Sequence, residues 1–277
     1  MKRMEIGEIL KNDKIAQGIF AMNIRLPLIA GDCKPGQFVM VYLDNGEMLL
    51  PRPVSISNAN TGKGTIDLVY HVVGNGTKQL SRMKARTPST ERIGGFSAGE
   101  SLRVMGPLGN GFTIKEGLKK VWLVGGGVGT PPLRLLLKEL KRREPAIEAS
   151  VFLGFGFQDT AILTDELEKL GAAVNILIDC NEVGRPRYVV DLLRDEEDVP
   201  DEIFACGPKG MLKDLVRYAG EKGIPCQICL EERMACGVGV CVGCVVETAE
   251  QEGGGPQYKK VCCDGPVFYS DAVVLDG

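Results

Sequence analysis

The 277 residues carry 33 Lys and Arg against 36 Asp and Glu, a net charge of −3, which leaves no electrostatic footprint for nucleic acid. A hydrophobic share of 44% is that of a globular protein, and the length suits about two domains at roughly 150 residues each. The opening MKRMEIGEIL lacks the apolar core of a signal peptide, and no run approaches the roughly 18 to 20 uncharged apolar residues of a membrane span, so a cytoplasmic protein is expected. In a reducing compartment ten cysteines argue against a disulfide framework. Eight of them lie from Cys206 onward, which points to a metal site in the C-terminal part.

In chain order, the first hundred residues show short β-type runs broken by Gly, Pro and Asn: 36–43, 54–57, 65–73 and 101–109. That spacing predicts a small antiparallel barrel, with a polar loop over 82–95. From residue 120 strand and helix alternate: strand 120–127, helix 132–143, strand 149–157, helix 164–170, strand 174–179, helix 188–197, strand 202–206 and helix 210–223. Such alternation predicts a parallel sheet with crossover helices. The basic run 140–144 reads as the solvated end of a helix. The last fifty residues have too few periodic segments for a core of their own and call for a staple such as a metal site, with GGGP (253–256) as a short turn.

Several motifs carry chemistry. In VWLVGGGVGTPPL a strand runs into Gly125, Gly126, Gly127 and Gly129, then Thr130 and two prolines open a helix. Glycines at a strand end let the backbone approach a pyrophosphate, and the helix N-terminus offers free N–H groups; a tight turn is the plainer reading. The strand EIFAC leads into CGPKGM, placing Cys206, Gly207 and Pro208 at a second carboxyl end of the same sheet, where open α/β sheets bind ligands. Cys206 alone also suits a buried small apolar residue. PRPVSIS holds Arg52 between two prolines ahead of a strand, suited to a bidentate phosphate contact or to a surface arginine. In HVVGNGT the N–H groups of Gly74, Gly76 and Thr77 suit a phosphate or a hairpin turn. His71 is the only histidine and reads as structural, which disfavours histidine-ligated and serine-type sites.

Cys236, Cys241 and Cys244 follow the spacing C-x4-C-x2-C, and Cys262 lies 17 intervening residues further on, matching the plant-type [2Fe-2S] pattern. Zinc usually takes two paired C-x2-C knuckles, so a cluster is favoured over zinc. Cys226 and Cys229 form a C-x2-C of their own and read as unligated thiols. Spacing leaves Cys262 and Cys263 open as fourth ligand.

Together these motifs resemble the ferredoxin-NADP reductase superfamily and, within it, the electron-transfer subunits of class 1B dihydroorotate dehydrogenases. The resemblance spans nearly the whole chain, and LEERMACGVGVC with VCCDGPVF is its most specific part. It implies an α+β multidomain fold: an antiparallel β-barrel flavin domain (1–115), a parallel α/β nucleotide domain (116–224) and a small C-terminal [2Fe-2S] cluster domain (225–277). It implies FAD on Arg52, Pro53, Val54, Ser55, Val69, Tyr70, His71, Gly74, Gly76 and Thr77. NAD(H) is expected over Gly125, Gly126, Gly127, Gly129, Thr130, Gly207 and Pro208, with Cys206 near it as the candidate catalytic residue. The cluster falls to Cys236, Cys241, Cys244 and, by resemblance, Cys262.

The implied partner is an FMN-containing dihydroorotate dehydrogenase catalytic subunit in a hetero-oligomer, a heterotetramer, serving pyrimidine biosynthesis. NADH delivers a hydride pair and a cluster takes single electrons, so a flavin between them is required. NAD is favoured over NADP because 153–166 has acids but no Lys or Arg for a 2′-phosphate, unless Arg185 and Arg187 fold back. The alternatives are a subunit serving NAD(P)H and ferredoxin, hydrogenase or sulfur-reducing partners, and a non-catalytic cluster or zinc sensor.

Overall fold

The computed structural model describes residues 2–43, 48–84, 101–178, 188–249 and 257–275. Most of the polar loop expected over 82–95, the GGGP turn, Arg185 and Arg187 lie outside the described residues. Six antiparallel strands close a barrel: β1 (Arg3–Ala16), β2 (Ile19–Arg25), β3 (Phe38–Tyr42), β4 (Arg52–Asn60), β5 (Thr65–His71) and β6 (Ser101–Leu108), in the order β1-β2-β5-β4-β3-β6. Alternate residues point inward. Ile9, Met22, Ile24, Val39, Val41, Ile56, Ile66, Leu68 and Val104 fill the interior. Short helices α1 (Pro27–Asp32) and α2 (Asn75–Leu80) add Ile29 and Leu80 to that core. The β1–β2 hairpin is absent from the sequence expectation. Its outward side mixes Glu8 and Lys11 with exposed Met4 and Ile6, so the period-two signal is blurred.

The second half is a six-stranded sheet. It comprises β7 (Lys120–Gly126), α3 (Thr130–Arg143), β8 (Glu148–Phe155), α4 (Thr164–Lys169), β9 (Ala173–Ile178), α5 (Val189–Arg194), β10 (Glu202–Cys206), α6 (Lys209–Lys222) and β11 (Cys226–Cys229). After the hairpin β12 (Val245–Thr248) and β13 (Gln257–Lys260), β14 (Val267–Tyr269) returns antiparallel to β11, giving the order β14-β11-β10-β7-β8-β9. The boundary expected at 224/225 therefore falls inside a continuous sheet: β11 extends the parallel strands and is itself covered by a strand from beyond the cysteine loop.

Two features lock the parts together. One apolar cluster joins Phe38 and Met40 of the barrel, Trp122 and Phe152 of the sheet, and Cys244, Val261 and Cys262 of the C-terminal loops. On the other side Asp67 of β5 accepts from Asn23 Nδ2 (2.5 Å), Asn58 Nδ2 (2.9 Å) and Arg134 Nη1 of α3 (3.2 Å). Helix α3, whose start follows the glycine run, is thereby tied to the barrel. Among the described residues, no helix is long and apolar enough to cross a membrane.

Candidate functional site

The barrel has a seam. The β4–β5 ladder runs from Asn60–Thr65 to Ile56–Leu68 and ends there. Beyond it Arg52–Ser55 pair with β3 and Val69–His71 pair with β2, so within the described ladders each segment has one unpaired main-chain edge facing the other. Loose edges of this kind need a partner, and a ligand laid along them can supply it. The Arg52 guanidinium closes the end of the seam by packing on Gly76, where a Cβ would overlap its Nε, Nη2 and Cζ atoms. Its Nη1 donates to the Leu50 carbonyl. The Gly74–Thr77 segment, expected as a phosphate-binding run or a hairpin turn, is the capped start of α2. Thr77 Oγ1 accepts from the N–H groups of Val73 (3.0 Å) and Gly74 (3.2 Å).

Strand alternation sorts the expected flavin residues. Pro53 and Ser55 face outward, whereas Val54 and Tyr70 point into the barrel. The Tyr70 hydroxyl donates to Asn12 Oδ1 (2.9 Å), its ring stacks on Phe20, and burial pushes it up to about 12. For these two residues the side chain is core, and only the main chain is available to a ligand. Val69 is also buried but on the face toward the nucleotide domain, and His71 is exposed over Gly18.

At the carboxyl edge of the sheet the glycines of β7 meet the end of β10. A Cβ on Gly129 would overlap the Cys206 carbonyl, and one on Gly126 would sit 2.7 Å from Pro208 Cδ and 2.9 Å from Met211 Sδ. Gly127 has φ +52°, the left-handed region that favours glycine. Pro131 and Pro132 fall in the first turn of α3, where missing N–H groups cost nothing. The Thr130 hydroxyl is buried beneath Gly125 without a hydrogen-bond partner, so it braces the loop from below.

Cys206 is 8% exposed and directly beside Cys229 in the parallel register. The neighbouring Cys229 thiol and burial push it well above the usual thiol range. Both effects favour the thiol over the thiolate. Cys226 and Cys229 lie on opposite faces of β11, in different apolar clusters, so they form no C-x2-C knuckle.

The remaining cysteines gather on the loops around β12 and β13. The Cys241 N–H donates to Cys236 Sγ (3.4 Å), Lys260 Nζ donates to the Gly239 carbonyl (2.8 Å), and the Val261 N–H donates to the Cys244 carbonyl (2.9 Å). Burial opposes ionisation of Cys236. The N–H groups of Cys241, Val238 and Val240 and the Cys241 thiol nevertheless bring it down to about 6. Cys262 is fully buried; burial and the Cys244 and Cys263 thiols push it up. Cys263 is half-buried, its Sγ 3.8 Å from Cys262 Sγ and within reach of Lys2 Nζ.

The thiols thus lie as two couples, Cys236 with Cys241 and Cys244 with Cys262. Among the described residues no three His, Cys, Asp or Glu side chains already converge as they would on a single ion. An all-thiol donor set with main-chain N–H groups directed at sulfur fits thiolate ligation of an iron-sulfur cluster. Beside it Val240 (84%) and Val242 (69%) are exposed.

A barrel with a ligand seam, docked on an α/β sheet whose carboxyl edge is built of glycines, is the architecture of flavin reductases, here with an added cysteine-rich region. Comparisons agree on that class. A ferredoxin NADP+ reductase from Neisseria gonorrhoeae, solved with FAD and NADP, covers 79% of this chain and 92% of its own at TM-score 0.63 and 16% identity, a likeness of fold. The structure of an NADH-dependent reduced ferredoxin-NADP oxidoreductase, studied for flavin-based electron bifurcation, matches at TM-score 0.81 and 30% identity over 98% of this chain and 91% of that one.

Residues 231–274 match the iron-sulfur cluster binding domain of dihydroorotate dehydrogenase B. The electron transfer subunit of dihydroorotate dehydrogenase B (NAD(+)) from Caldanaerobacter subterraneus subsp. tengcongensis is 36% identical over 97% of this chain and 98% of its own. That from Fusobacterium nucleatum subsp. nucleatum is 34% identical over 99% and 100%. The chain belongs to the family of dihydroorotate dehydrogenase B electron transfer subunits.

Proposed function

We propose that the chain carries electrons between NAD(H) and an FMN-containing dihydroorotate dehydrogenase catalytic subunit, through FAD and a [2Fe-2S] cluster, in the cytoplasm and within a heterotetramer. The observation that carries this reading is the coexistence, in one packed molecule, of the Arg52–Gly76 seam, the Gly126–Gly129 edge and the Cys236–Cys262 thiol set. Arg52, the N–H groups of Gly76 and Thr77 and the main-chain edges of Val54, Ser55, Val69 and Tyr70 hold FAD, while Pro53, His71 and Gly74 flank it. Gly125–Gly129, Gly207 and Pro208 admit the nucleotide diphosphate, with Cys206 lining the nicotinamide end. Cys236, Cys241, Cys244 and Cys262 ligate the cluster. The flavin supplies the conversion between a hydride pair and single electrons.

The residues themselves orient and exclude water; hydride transfer asks for no acid or base, in keeping with a single histidine and a protonated Cys206. Asp159 in the turn after β8 supports NAD over NADP, since a carboxylate there suits a ribose hydroxyl and repels a 2′-phosphate. A second reading, electron exchange between NAD(P)H and a ferredoxin, is favoured by the 30% identity over nearly the full chain noted above. Co-purification with the FMN subunit and an assay of dihydroorotate-dependent NAD+ reduction separate the two. The proposal expects NADH to form in the complex. Ferredoxin turnover with no response to dihydroorotate would overturn it.

A further inference from the structure

The cysteine loop touches the barrel at Met40. Gly237, directly after Cys236, has φ +68°, and a Cβ on it would lie 2.6 Å from Met40 Cγ and 2.9 Å from Met40 Sδ. Met40 is fully buried, so its side chain has no room to retreat into solvent. Its neighbours Val39 and Val41 point into the barrel, which leaves Met40 and Phe38 on the outer face. Those two residues stand opposite Pro53 and Ser55 in the β3–β4 ladder. Met40 therefore has the first cysteine's neighbour on top of it and the seam segment Arg52–Ser55 beside it. Cys244, Cys262 and Val238 pack in the same apolar cluster, so the contact is dry.

We propose that the Gly237–Met40 contact is the positioning device that sets how closely the cluster approaches the flavin, and hence how fast electrons pass between them. This rests on the functional reading above and adds the element of the chain that tunes it. The step moves one electron and makes or breaks no bond. The reduced flavin loses it and one ferric iron of the cluster gains it. A second transfer, after the first electron has left for the partner, empties the flavin of its hydride pair and releases a proton to water. Only glycine lets the loop rest on Met40, because any side chain at 237 must lift the loop or displace a packed methionine, and an L-residue at that φ is strained as well.

The test is anaerobic stopped-flow mixing of the FAD- and cluster-loaded protein with NADH. Flavin bleaching and cluster reduction are followed separately, with iron content and the cluster's paramagnetic resonance spectrum as checks on loading. In Gly237→Ala the flavin phase is expected to keep its rate and the cluster phase to slow several-fold with iron content unchanged. In Met40→Ala/Gly237→Ala the space left by the trimmed side chain takes up the new methyl group, and the cluster phase recovers toward wild type. Should Gly237→Ala not hold a cluster, Met40→Ala and Met40→Leu carry the test, with slowing in the first and much less in the volume-conserving second. Wild-type cluster rates in Gly237→Ala and Met40→Ala alike, or a double variant as slow as Gly237→Ala, would overturn the inference alone. Failure of NADH to bleach the flavin of the wild-type protein would remove the functional reading beneath it.

Discussion

Gly129 has a carbonyl where a methyl group would have to go, and the obstacle is backbone, which cannot swing aside. Gly129→Ala should therefore weaken the nucleotide edge selectively, with FAD content retained and the NADH concentration for half-maximal flavin bleaching raised at least several-fold. Unchanged NADH titration would contradict this placement. The paired Cys262 and Cys263 make a second test at the same scale. Cys262 is fully buried beside Cys244, whereas Cys263 is half-buried on Gly239. Cys262→Ser should lose most of the cluster's visible absorbance, and Cys263→Ser should keep it; the reverse pattern would reassign the ligand. Residue types at fixed spacing made a cluster-binding region legible in the sequence, because C-x4-C-x2-C constrains ligation whatever the surrounding fold, while the choice between Cys262 and Cys263 was not fixed by spacing. The inward turn of Val54 and Tyr70 was not legible. It depends on which face of a strand the barrel closes over, and a single motif does not carry that parity.

Helix α3 shows how an element serves the site from a distance. Its first turn follows the glycine edge, its middle ties to Asp67 of the barrel, and its end carries Glu139 hydrogen-bonded to Arg142 and Arg143 (2.7–2.8 Å). The Arg142 hydrogen bond, against some burial and with help from Arg143, brings Glu139 from the ordinary 4.5 to about 2. A lowered carboxyl contributes stability in full above the unfolded value and loses it as pH falls toward the folded one. In urea melts Glu139→Gln should therefore be slightly less stable than wild type at pH 7, by under about 1 kcal/mol for so exposed a pair, and the difference should shrink between pH 4.5 and 2. A pH-independent difference would contradict the assignment. Helices and buried strands of the α/β half were legible from period and glycine punctuation. The β1–β2 hairpin and α2 were not, since β1 shows solvent a mixture of charge and exposed Ile6, and GNGTKQL is too short to display a helical period.

On the scale of the whole molecule, three functional regions share one packed core, and the sheet crosses the boundary drawn from sequence at 224/225. Composition and motif order foretold the sequence of regions but not this continuity. It arises because β14, placed after the cysteine loop in the chain, folds back onto β11 and pins both ends of that loop to the nucleotide sheet. The loop is held against Met40 on one side and presents Val240 and Val242 to solvent on the other, the arrangement needed to receive electrons from within and pass them outward. Anaerobic titration of the purified protein with NADH tests that account most directly. Flavin absorbance should bleach, and the resonance signal of a reduced [2Fe-2S] cluster should grow as it does so, with one FAD and one cluster per chain. A flavin that NADH leaves oxidised, or one that bleaches while the cluster stays silent, would contradict it.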